Sequence, residues 1–261
     1  MHYSGIDTAL WIAGIAGEAL LIGVLLWRRS YRTFPVFFSW VLFILLLEPT
    51  FYLLLIHASA TTYYRVFFAL NFPQYLLEVG VLAEIALNVL RPVRQGISRM
   101  LLIGFSIAMI LIAMAGVLTA AHVSDATLAN PRPYVVVNTS MAILRLATFL
   151  LIAGCSQLLG LNWKNHVLQL TSGLAFYAVV TLIVELSQSN LRGGLYYDST
   201  YRALDHLRIG GYLCTLYFWC YTFAKKEAPR KEFSPQMTKF LVSLSGSAKR
   251  QRAVLARTRD Q

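Results

Sequence analysis

The sequence predicts an all-α polytopic membrane protein, a bundle of seven transmembrane helices, and three observations predict it. Of the 261 residues 57% are apolar and only 13% charged, which leaves too little polar surface for a water-soluble domain of this size. Seven apolar runs reach the roughly 20 residues that a helix needs to cross a hydrocarbon core of about 30 Å. Basic residues, finally, gather in alternate connections between those runs.

The first span, 7–27, is interrupted only by Glu18. No Lys or Arg occurs in the first ten residues and no small-residue cleavage site follows a short apolar region, so it reads as a retained helix and not a signal peptide. The second span, 34–57, contains Glu48-Pro49. Proline removes a backbone donor, frees the carbonyl of Leu45 and predicts a kink there. Asn71 and Gln74 interrupt the third span, 66–90, and the fourth is 100–121. Arg145 lies in the fifth, 135–160, and Glu185 in the sixth, 167–189. The seventh, 205–224, is broken by Gly210-Gly211. A single Pro73-Gln74 dipeptide without a counterpart in the second half assigns the chain to no family.

Orientation follows from the basic residues of the loops. Seventeen of the 23 Lys and Arg flank one side, five flank the other, and Arg145 is the remaining one. The sequence therefore predicts an amino terminus outside and a carboxyl terminus inside, with residues 1–224 forming the membrane domain and 225–261 a basic cytoplasmic tail. An integral membrane protein of a bacterial cytoplasmic membrane is the expected setting. The formal charge of +11 then reads as positive-inside anchoring and attraction to anionic inner-leaflet lipid, with no nucleic-acid partner. Ser234-Pro235 followed by Met237, Phe240, Leu241 and Leu244 predicts a short amphipathic helix in that tail. A protein partner would find its contact there too.

Six ionisable residues are out of place in lipid. Glu18, Glu48, Glu78, Glu84, Glu185 and Arg145 all fall inside the spans. Each charge at a bilayer centre costs about 2.5–3.5 kcal/mol, so five unpaired carboxylates would consume a typical fold's net stability of about 5–15 kcal/mol. They must be protonated, paired, hydrated or bound to a cation. Helical spacing puts Asn71, Gln74 and Glu78 on one stripe of span three, and Glu84, Asn88 and Arg91 on another. Glu78 and Glu84 point about 120° apart and cannot chelate one ion from a straight helix. Asn138, Arg145 and Thr148 share a face of span five. Arg145 requires an acidic partner, and Glu78, Glu48 and Glu18 are the candidates at comparable depth.

The outer helix ends carry His57, His122 and His206. A metal site on them is one expectation, although their spacing matches no recognised ligand motif. No lysine lies deep in any span, which argues against a retinal Schiff base and leaves the cofactor unknown. Without a nucleophile elbow, a phosphate-binding glycine loop or a paired-histidine zinc motif, catalysis could run only through the carboxylates. The leading expectation is a protein that binds or translocates a proton, cation or small polar ligand at a midplane Glu/Arg site. Its rival is a non-catalytic accessory or receptor-like subunit whose buried charges serve packing.

Overall fold

A computed structural model describes residues 5–89, 132–154, 165–190 and 197–227, and these residues are helical with no strand among them. Six α-helices are described: α1 Gly5–Trp27, α2 Pro35–His57, α3 Ala60–Val89, α4 Arg132–Gly154, α5 His166–Asn190 and α6 Tyr197–Ala224. A 3₁₀ turn, Ser30–Arg32, joins the first two. Three of the helices have segments long and apolar enough to cross a membrane, Gly5–Trp27, Pro35–Leu54 and His166–Gln188. The chain is thus a membrane protein by the length and composition of its helices. The expected span 100–121, His122, Arg91 and the tail helix around Ser234 to Leu244 lie outside the described residues.

Helix ends extend past the apolar runs. Hydropathy marks α3 only from 66, yet the helix begins at Ala60 because Ser59 caps it. The Ser59 hydroxyl accepts from the Thr62 backbone N–H at 3.3 Å and lies 2.9 Å from the Thr62 hydroxyl, satisfying a donor that the first turn leaves orphaned. In the same way α6 begins at Tyr197 and not 205, continuing its hydrogen-bond ladder through polar residues that an apolar window cannot detect. At α5, Asn165 Oδ1 accepts from the Val167 N–H at 3.0 Å and sets the start.

α1 packs on α2 and α6, α2 on α3, α3 on α5, and α5 on both α4 and α6. In lipid no hydrophobic force drives such pairs together, so close approach through small residues matters more. α6 lies against glycines of both neighbours. A Cβ on Gly17 of α1 would come within 2.6 Å of Leu216, and one on Gly173 of α5 would collide with the Trp219 indole. One end of the bundle is basic, with Arg28, Arg29, Arg32 and Lys225. Near it Phe34, Phe37, Trp40, Trp219 and Phe223 interlock, the Phe37 and Trp219 rings meeting edge-on at 5.2 Å. Leu46, Leu150 and Leu151 by contrast are 60–70% exposed, the outward face expected of helices solvated by acyl chains.

Candidate functional site

Each charged residue of the midplane set lies near the middle of its helix, where ladder bonds have consumed the backbone polar groups. Their side chains must be satisfied by other side chains or by a bound group. Arg145 of α4 pairs with Glu78 of α3, Nε donating to Oε1. Both are buried. The Arg145 guanidinium also lies 5.2 Å from the ring centroid of Tyr177 on α5, a cation–π contact that contributes about 2 kcal/mol when desolvated. Tyr177 meets Tyr212 of α6 edge to face at 5.6 Å. The Tyr212 hydroxyl in turn donates to Glu18 Oε1 on α1 at 2.8 Å.

Glu48 of α2 is half-buried on the helix that packs against α1. Trp11 of α1 stacks on Tyr52 of α2 at 4.8 Å, one turn from Glu48. The result is a belt of side chains drawn from all six described helices. It has two poles. At one, a neutral ion pair joins Glu78 to Arg145; at the other stand two carboxylates, Glu18 and Glu48, with the Tyr177/Tyr212 pair between the poles. Two fully enclosed atoms of this belt have no hydrogen-bond partner among the described residues, Arg145 Nη1 and Glu18 Oε2.

The remaining expected residues fall elsewhere. Glu84 reaches across to the start of α2, where its two oxygens accept from the backbone N–H groups of Val36 and Phe37, both at 2.9 Å. The residue before α2, Phe34, has no capping side chain, and Pro35 follows it, so a carboxylate 47 residues away supplies the N-cap. Such an anion also complements the positive end of the helix dipole. Asn88, one turn on, donates to the Thr33 carbonyl at 3.1 Å. The second stripe of α3 thus docks the α1–α2 turn. Glu185 of α5 accepts from Asn138 Nδ2 and the Thr139 hydroxyl of α4, which uses both of its oxygens in holding two helices in register.

Asn71 folds back onto the Phe67 carbonyl at 2.7 Å, and Gln74 is half-buried one turn above Glu78. Thr148 likewise bonds its own helix, at Leu144 O. At the end away from the basic residues, His206 meets Asp7 at 2.6 Å, while His57 is exposed. No three potential metal ligands gather among the described residues.

Sequence reasoning missed Trp11, Tyr177 and Tyr212. Their signal was position, since Tyr177 and Tyr212 sit mid-helix and not in an interfacial belt. Gly211 lets α6 approach Val180 of α5, where a Cβ would come within 2.8 Å, and this close approach sets Tyr212 beside Tyr177. Comparison with protein families, curated proteins and solved structures found no match to the chain.

Proposed function

We propose that the chain is a seven-helix integral membrane protein, amino terminus outside and carboxyl terminus inside, that binds or translocates a proton, cation or small polar ligand at the belt of Glu18, Glu48, Glu78 and Arg145. One observation supports this reading above the others. The belt crosses the bundle at mid-helix and still contains a buried donor, Arg145 Nη1, and a buried acceptor, Glu18 Oε2, that have no partner among the described residues. A buried polar atom without a partner costs about 1–3 kcal/mol, more when charged, and a ligand that meets both atoms removes that cost. The basic tail, in this proposal, anchors the inner surface through anionic lipid or a protein partner.

The accessory-subunit reading has its own support. Glu84 and Glu185 are satisfied by packing roles, and buried ion pairs can serve helix order alone. It does not account for the two unpartnered atoms. The full chain in proteoliposomes, loaded with a pH-sensitive dye and clamped in potential, separates the two. The first reading expects proton flux, or a shift in unfolding temperature with pH, Na⁺, K⁺ or a small zwitterion, that R145M/E78Q abolishes while the fold survives. Absence of every flux and every shift sinks it.

A further inference from the structure

Burial along four of the helices changes at one level. Among the described residues none is buried in α1 before Gly17, in α2 beyond Leu47, in α3 before Asn71 or in α6 before Gly211. Three of these transitions adjoin the belt, because Glu18 follows Gly17, Glu48 follows Leu47 and Tyr212 follows Gly211. The helices have not parted there. Toward the end away from the basic residues Asp7 meets His206 at 2.6 Å between α1 and α6, Trp11 stacks on Tyr52 at 4.8 Å between α1 and α2, and the Phe51 and Phe67 rings lie 5.3 Å apart between α2 and α3. α5 completes the ring, since Gln188 donates to Asp205 of α6 at 3.4 Å and α5 packs on α3. Helices joined around a rim that bury nothing between their walls enclose open space. With Asp7 and His206 at its mouth, water fills that space at lower cost than acyl chains would.

Asp7, Trp11, Gly14 and Glu18 recur at helical spacing and form one stripe of α1. The contacts of Asp7 with α6 and of Trp11 with α2 turn that stripe inward, away from lipid. Gly14 is half-buried on it, yet a Cβ there would meet nothing within 4 Å. α1 and α2 run antiparallel through the short turn between them, so one helical turn inward from Trp11 and Tyr52 brings Gly14 level with Glu48. Deeper still, Glu18 is 0% exposed. Toward the basic end α2 and α6 close on each other, where the rings of Phe37 and Trp40 lie 5.2 and 6.1 Å from that of Trp219.

We propose that a water-filled recess enters the helix ring from the end away from the basic residues, that Glu48 at its foot is the first carboxylate a proton or small cation meets there, and that the aromatic cluster closes the bundle toward the basic end. The proposal deepens the functional reading above and rests on it for what the recess admits. Glu18, covered in this structure, is the next group inward.

Thiol labelling of the full chain in sealed vesicles of both orientations tests this, with Cys155, Cys214 and Cys220 replaced by Ala. G14C and I12C lie within about 3 Å of one depth on opposite faces of α1, as E48C and L46C do on α2. Ile12 and Leu46 are 56% and 60% exposed, but toward lipid. Membrane-impermeant reagents attack a thiolate in water, so G14C and E48C should react at least about tenfold faster than I12C and L46C. They should do so only from the side opposite to K226C, an exposed position at the basic end. At G14C a cationic reagent should outpace an anionic one of equal size, and E48Q should remove the difference. Equal rates on the two faces, or protection of both G14C and E48C, overturn the recess. Reaction from the K226C side overturns the aromatic closure, and a charge preference that E48Q leaves intact removes Glu48 from the foot. Should E48C fail to fold, G14C, whose side chain has room, decides alone. Flux with G14C protected overturns the recess and leaves the functional reading standing, whereas the labelling pattern without flux or ligand response does the reverse.

Discussion

Replacing Arg145 by Met leaves Glu78 buried without its cation, and the magnitude of the damage can be worked from its surroundings. Glu78 retains only 1% exposure. Breaking a buried pair of this kind costs about 3–5 kcal/mol, and loss of the contact with Tyr177 adds up to about 2 kcal/mol. The carboxylate has an escape, since it can take up a proton. At pH 7 protonating a carboxyl of ordinary acidity costs about 3.7 kcal/mol, and that cost falls by about 1.4 kcal/mol for each pH unit removed. In the variant the folded state would hold the proton and the unfolded chain would release it, so stability is kept at low pH and lost as pH rises above the ordinary carboxyl value. R145M should therefore lose about 4–6 kcal/mol at pH 7 and regain about 2–3 kcal/mol by pH 5.

The partner variant behaves differently. E78Q strands a guanidinium that cannot shed its proton, so its loss should be at least as large and independent of pH. R145M/E78Q removes both charges and should return to within about 2 kcal/mol of the parent, a coupling well outside the roughly 0.5 kcal/mol expected of independent sites. Equilibrium unfolding of the four proteins in the same lipid or detergent between pH 5 and 8 measures all of this. Additive losses, or an R145M deficit that does not change with pH, would refute a desolvated pair.

Three further outcomes are expected. E84A should destabilise by about 2–4 kcal/mol, because two N–H groups at the start of α2 lose a charged acceptor; E84Q should lose less, and hydrogen exchange at Val36 and Phe37 should rise in both. G173A should cost about 1–3 kcal/mol through overpacking against Trp219, whereas G14A, whose Cβ would meet nothing within 4 Å, should be neutral; equal effects in the two would remove the argument from close packing. A cysteine introduced at position 128 should react with a membrane-impermeant reagent only from outside, and labelling only from the cytoplasmic side would reverse the proposed orientation.

The apolar runs alone determined that these segments are helices suited to lipid, since a backbone without water can satisfy itself in few other ways. The same energetics dictated that Arg145 needs an acidic partner, and helical spacing showed that Glu78 and Glu84 serve different sites. The partner of each charge was decided only by tertiary structure. Spacing within one helix specifies a face, but which neighbour that face meets depends on helix order and rotation, and these come from contacts such as Gly17 with Leu216 and Gly173 with Trp219. Glu78 and Arg145 stand 67 residues apart, and nothing local distinguishes that pairing from one with Glu48 or Glu18. Glu84 was legible as a buried carboxylate, yet its role as the cap of α2 required knowing that the turn before Pro35 folds back onto α3. Tyr177 and Tyr212 escaped notice for a related reason. An aromatic residue in an apolar helix is indistinguishable from packing until a guanidinium is found over its ring or a carboxylate at its hydroxyl.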